Sequence, residues 1–117
     1  MFRLQNDQGE IRIGSDVFTF VTGAAATRCF GVRGMAYRSR TDGLVHLLRR
    51  EFMSKGVCVV FHEDRSISIQ LHIIVELGVN LNAVSCSIMN EVSYNVTRYT
   101  GVPVRTVDVY IDSISID

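Results

Sequence analysis

The run His72-Ile73-Ile74-Val75-Glu76-Leu77-Gly78-Val79-Asn80-Leu81 constrains the fold more than any other part of the chain. Leading into it, Ile67, Ile69, Leu71, Ile73, Val75 and Leu77 alternate with Ser68, Gln70, His72, Ile74 and Glu76, the two-residue period of a strand with one buried face. Gly78 breaks the strand, and Asn80 can cap a helix. The spacing predicts that helix over Leu81 to Tyr99, with Leu81, Val84, Ile88, Val92, Val96 and Tyr99 on one stripe. Thr100-Gly101 ends it and Pro103 prevents its continuation. In the strand predicted next, Val102 to Asp112, Arg105, Val107, Val109 and Ile111 alternate with Thr106, Asp108, Tyr110 and Asp112. Strand, helix and strand joined in this way form a right-handed parallel crossover. Its helix covers one sheet face and leaves the other to water or to a partner.

The rest of the chain fits around that unit. Gly9-Glu10-Ile11-Arg12-Ile13 alternates as a short strand, and Ser15 is placed to cap a helix whose first turn carries Asp16. Val17, Val21, Ala24 and Ala25 are expected on its packed face, with Phe18, Phe20 and Cys29 beside them and Gly31 closing the helix. Gly23 and Ala24 to Ala26 are small enough for close packing against a sheet or a neighbouring helix. Residues 31–37 read as a connector with a short extended piece. Thr41 can cap a second helix from Asp42 to about Arg50, with Leu44, Leu47 and Leu48 as its stripe. Val57 to His62 is a strand, and Glu63-Asp64-Arg65 a turn. The predicted class is α+β: a two-layer domain with a mixed β-sheet and helices packed on one face, in the order β-α-(β)-α-β-β-α-β. At 117 residues the chain makes one domain, 1–117, with its core over about 9–112.

Charge excludes some classes of function. Twelve basic residues balance twelve acidic ones, so no global field draws the chain to nucleic acid or to a membrane. Locally the balance is uneven: Arg28, Arg33, Arg38, Arg40, Arg49, Arg50 and Lys55 face only Asp42 and Glu51 within residues 28–55. The three cysteines, Cys29, Cys58 and Cys86, are unpaired in spacing, which suits buried thiols in a reducing compartment. MFRLQNDQGE has no apolar signal core, and no apolar run reaches the ~18–20 residues of a membrane span. A cytoplasmic protein without direct membrane insertion is expected.

No reaction centre is legible. His62 and His72 fall on consecutive strands and Cys58 could face His72 across the ladder in one of the registers the sequence leaves open, but a metal site needs three or four converging ligands. Cys29 closes a helix at its negative end, which raises a thiol pKa, and neither it nor Cys86 has a base beside it in sequence. Gly31-Val32-Arg33-Gly34 follows a helix, whereas phosphate-binding glycines follow a strand and open a helix. That same G-x-x-G could serve a KH-like RNA-binding module if it formed a loop between two helices, with Arg33 and the nearby arginines as phosphate contacts. The expectation is therefore no catalytic residues, no cofactor and no metal. The residues expected to meet a partner are Arg33, Arg38, Arg40, Arg49 and Arg50 as one surface, with His72 and Tyr110 on the open sheet face as a second.

Taken in order, several pieces resemble the alkaline shock protein family, the envelope-stress-response proteins of Gram-positive bacteria. They are Gly9 to Ile13 before a helix, Gly31-Val32-Arg33-Gly34-Met35, Asp42-Gly43, Ser54-Lys55-Gly56-Val57, Val75 to Asn80, and Thr100-Gly101 before an alternating strand. The resemblance implies a small non-enzymatic cytoplasmic scaffold or adaptor. It would act by self-association as a homo-oligomer and by binding a protein partner; for some members that partner is a membrane-anchoring protein. Ile114 and Ile116 extend the last strand's alternation, so the strand near Asp112–Asp117 is an expected self-association edge.

Overall fold

The computed structural model describes residues 2–38, 45–48 and 56–116. The chain order is β1 (Phe2–Asn6), β2 (Gly9–Ile13), α1 (Ser15–Thr27), β3 (Val32–Arg38), β4 (Val45–Leu48), β5 (Val57–Phe61), β6 (Ile67–Glu76), α2 (Leu81–Thr100) and β7 (Val104–Ser115). The class is α+β as expected, with two helices and two sheets among the described residues.

β6 organises the larger sheet. Its core-facing residues Ile67, Ile69, Leu71, Ile73 and Val75 are all fully buried, as their alternation predicted; Leu77, expected on the same face, lies past the strand end and is exposed, and Ile74, expected on the open face, is buried. β7 runs parallel along one edge of β6, and the crossover between them is α2. Two antiparallel strands share the other edge end to end: β5 pairs with Ile67 to Leu71, and β3 pairs with Ile73 to Val75. Val84, Ile88, Val92 and Val96 of α2 complete the core above β6, and α1 adds Phe18, Ala25 and Ala26 beside them. The Phe18 ring meets Phe2 and Phe61 edge-on, at centroid distances of 6.2 and 5.6 Å.

The β-α-β joints form as their chemistry requires. Asn80 caps α2 by accepting from the Ala83 N–H at 2.9 Å. Gly101 takes a left-handed conformation, φ 74°, and its N–H closes onto the Thr97 carbonyl at 2.8 Å. Within α2 the predicted stripe narrows: Leu81 and Tyr99 are exposed at its two ends, and Asn95 and Thr100 are buried in their place. Both polar groups bond within the helix, Asn95 Nδ2 to the Glu91 carbonyl and Thr100 Oγ1 to the Val96 carbonyl.

Four expectations are corrected. Val45–Leu48 is not helical; it is β4, antiparallel to β3 with Met35 opposite Leu48 and Arg38 opposite Val45. A short apolar run fits either period, and the strand edge that β3 presents decides for pairing. The remainder of the predicted 42–50 helix lies outside the described residues. The strand at Gly9–Ile13 has a partner that the sequence reading missed, β1, joined to it by a tight turn in which the Asn6 carboxamide oxygen accepts from Gln8 and Gly9 N–H. Helix α1 starts at Gly14 as N-cap, with no side-chain cap, and ends at Thr27 with Arg28 as its C-cap, short of Gly31. Finally, α1 buries Phe18, Thr19, Thr22, Gly23, Ala25 and Ala26, with Val21 and Ala24 half-buried against the core, so Val17 and Phe20, expected on or beside the packed face, point outward instead.

Candidate functional site

The open face of the larger sheet carries most of the described polar chemistry. Because side chains alternate along β6, Ser68, Gln70, His72 and Glu76 lie on this face, opposite the core. Register places Cys58 of β5 opposite Gln70, and Thr106, Asp108 and Tyr110 of β7 opposite Ser68, Gln70 and His72.

The centre of the face is a three-residue cluster. His72 and Tyr110 stand opposite each other and their rings stack, with centroids 4.8 Å apart and an interplanar angle of 14°. His72 Nδ1 lies 3.0 and 3.1 Å from the two carboxylate oxygens of Asp112. Asp112 reaches the ring because β7 bulges there: Ile73 pairs with Ile111 and Ile74 with Ser113, leaving Asp112 as the extra residue. Arg105 is the extra residue of a second shift near the start of β7, and its Nη2 bonds Asp64 Oδ2 at 2.7 Å. The predicted alternation had put Arg105 on the face of Val107, Val109 and Ile111; the bulge removes it from that row.

Asp64 closes the β5–β6 turn. Its carboxylate accepts from both the hydroxyl and the N–H of Ser66. Those bonds, together with Arg105, hold the carboxyl down at about 2 from an ordinary 3.8. His62, just past β5, bonds Ser68 Oγ through Nε2 at 2.7 Å.

The predicted partner residues divide. His72 and Tyr110 are brought together on the open face. Arg33 is exposed at the β3 bulge, where its guanidinium lies 3.8 Å from Glu76. Arg38 ends β3. Arg40, Arg49 and Arg50 lie outside the described residues. Asp112, which orients His72, escaped the sequence reading because only the bulge makes it a neighbour of that ring.

The KH-like geometry does not form. Gly31 occupies a turn at φ 89° and Gly34 lies within β3, so the G-x-x-G segment enters a strand instead of looping between two helices. Cys29 is buried, donates to the Ala25 carbonyl at 3.4 Å, and has its thiol pKa raised, chiefly by burial. Cys58 and Cys86 are exposed, against the expectation of buried thiols. Among the described residues no three His, Cys, Asp or Glu side chains converge as metal ligands, and no helix is long and apolar enough to cross a membrane.

What the described residues define is a two-layer α+β domain with an open, largely polar sheet face, on which Ile74 alone of β6 is buried, and a long edge strand with no second strand beside it. Comparison with known proteins places it further. Residues 3–116 match the alkaline shock protein 23 family, whose description is a cell envelope-related function, and the chain belongs to that family. The uncharacterized protein YloU of Bacillus subtilis is 34% identical over 114 residues, covering 97% of this chain and 94% of that protein. The uncharacterized protein Spy1614 of Streptococcus pyogenes is 35% identical over 115 residues, with the same two coverages, 97% and 94%. Among solved structures, the MamM CTD in a manganese form shares the fold with a TM-score of 0.51 at 15% identity, over 86% of this chain and 99% of that one.

Proposed function

We propose that this protein is a non-enzymatic scaffold or adaptor in cell-envelope homeostasis, acting by self-association and by holding a protein partner. The observation that carries the reading is β7. It has twelve residues, pairs with β6 along one side, and among the described residues has nothing on the other. A free edge of that length offers a row of backbone donors and acceptors to an incoming strand. Beyond the bulge at Asp112, Ile114 and Ile116 are 46% and 79% exposed, apolar side chains beside the open edge. The family's cell envelope-related function supports the setting. In this reading the protein is cytoplasmic and reaches the membrane through a membrane-anchoring partner. In the same reading the His72–Asp112–Tyr110 cluster, a stacked pair of rings with a carboxylate beside it, is a recognition feature.

The test combines sedimentation with capture. Affinity capture of the full chain from its native cells, followed by mass spectrometry, should recover the chain itself and a discrete protein partner. The double variant Ile114→Lys, Ile116→Lys should keep its circular dichroism spectrum and lose the partner. A chain that sediments as a monomer at high concentration and captures no protein above control would overturn the proposal.

A further inference from the structure

Helix α1 carries a second surface, and its chemistry names its occupant. At 3.6 residues per turn, Asp16, Val17, Phe20, Val21, Ala24 and Arg28 fall within about 140° of the helix circumference. The buried set, Phe18, Thr22, Ala25 and Ala26, lies on the opposite side, against β5, β3 and α2. On the outward side Val17 is 46% and Phe20 56% exposed, while Val21 and Ala24 are half-buried and also pack against the core. Phe30, just past the helix, is 84% exposed. Thr27, on the same side, turns its hydroxyl back to the Gly23 carbonyl at 2.9 Å and so adds no unmet polar group.

Charges occur only at the two ends of this face. Asp16 stands in the first turn and Arg28 at the C-cap. Among the described residues neither has an ion-pair partner, and Arg28 spends one donor, Nε, on the Ala24 carbonyl at 3.2 Å. A face that is acidic at one end, basic at the other and apolar between is complementary to itself once reversed.

We propose that a second copy of this chain docks here, α1 against α1, antiparallel about a two-fold axis near Thr22. An isologous contact of this kind pairs residue i with j and j with i. With Asp16 set against Arg28, Phe20 falls against Ala24, a large side chain over a small one, and each occurs twice. Phe30 of each copy comes alongside the N-terminal turn of the other's helix, where Val17 is exposed. One helix face about 20 Å long is less than the ~800 Å² per partner of a standard stable interface, so the dimer is reversible and concentration-dependent. This inference rests on the reading of the protein as self-associating, and it assigns that role to α1, leaving the β7 edge for the protein partner.

Sedimentation velocity of the full chain across ~1 µM to ~1 mM tests it. The wild type should shift from monomer to dimer within that range. Phe20→Glu, which puts a carboxylate at the centre of the face, should weaken the dimer at least tenfold, about the cost of losing a central aromatic contact. Asp16→Arg and Arg28→Asp should each weaken it several-fold at low salt, and the two together should restore it, a readout that a merely structural role would not produce. Phe30→Ser, at a residue outside the core, supplies an independent weakening should Phe20→Glu fail to fold. If the wild type associates but the Phe20, Phe30 and charge variants behave like it, the α1 interface is overturned while self-association stands. If single charge variants weaken the dimer and the double swap does not rescue it, the antiparallel register is overturned. A wild type that stays monomeric to ~1 mM overturns both.

Discussion

Thr22 lies fully buried on α1, and among the described residues its hydroxyl has no hydrogen-bond partner. A hydroxyl held away from water without a partner carries its desolvation cost uncompensated. Thr22→Val keeps the shape and removes the orphan, and should raise stability by about 1 kcal/mol in urea unfolding. At Gly31 the constraint runs the other way. Its φ is 89°, and an added Cβ would sit 3.0 Å from Val84 Cγ2 and 3.1 Å from Val79 Cγ1. Its carbonyl also holds the Glu76 N–H at 2.8 Å, so the turn cannot shift freely. Gly31→Ala should therefore cost about 2 kcal/mol or more from strain and crowding together, measured as a drop in the urea midpoint with unchanged slope. Asp64 supplies a pH signature. Its folded pKa, about 2, lies below the ordinary 3.8, so the ionised carboxylate stabilises the folded state. That contribution is present above about pH 4 and is lost as pH falls toward 2. Melting curves of the wild type and Asp64→Asn should differ at pH 6 and converge near pH 2.

The elements show what the sequence could and could not reveal. β6 and α2 were legible because each has one apolar face, so period and burial agree, and because Asn80 and Gly101 mark the helix ends chemically. Asn80→Ala should cost α2 about 1 kcal/mol, detectable by the same urea titration. β4 was not legible, since Val45 to Leu48 is too short for its apolar residues to choose between periods, and only the edge of β3 settles the matter. α1 misled for the opposite reason. Apart from its ends it has no charged side, so periodicity alone could not say which of its two apolar faces enters the core. Phe18, whose ring meets Phe2 and Phe61 edge-on, and the small residues Gly23, Ala25 and Ala26 take the inside, where they pack closely against α2 and the sheet. The cluster on the open sheet face was half legible: alternation put His72 and Tyr110 there, but the bulge that delivers Asp112 has no sequence mark beyond the charge itself.

At the scale of the whole molecule, among the described residues the larger sheet is covered by helices on one face, is open on the other and has one long edge unpaired, while α1 turns Val17 and Phe20 outward. An apolar helix face left in water is unfavourable in an isolated domain, and association removes that cost only when enough protein is present. Stability and concentration are then linked, because anything that binds the folded chain and not the unfolded one raises the melting temperature. For a chain of this length unfolding from a two-fold dimer, each tenfold rise in concentration above the dissociation constant should raise Tm by about 3 °C, taking an unfolding enthalpy of about 0.7 kcal/mol per residue. Phe20→Glu should flatten that dependence, because its unfolding starts from a monomer. Differential scanning calorimetry at three concentrations distinguishes the cases: a wild-type Tm independent of concentration across the range where sedimentation shows dimer would mean that the contact seen in sedimentation does not stabilise the fold, and the outward face of α1 would then need a different partner.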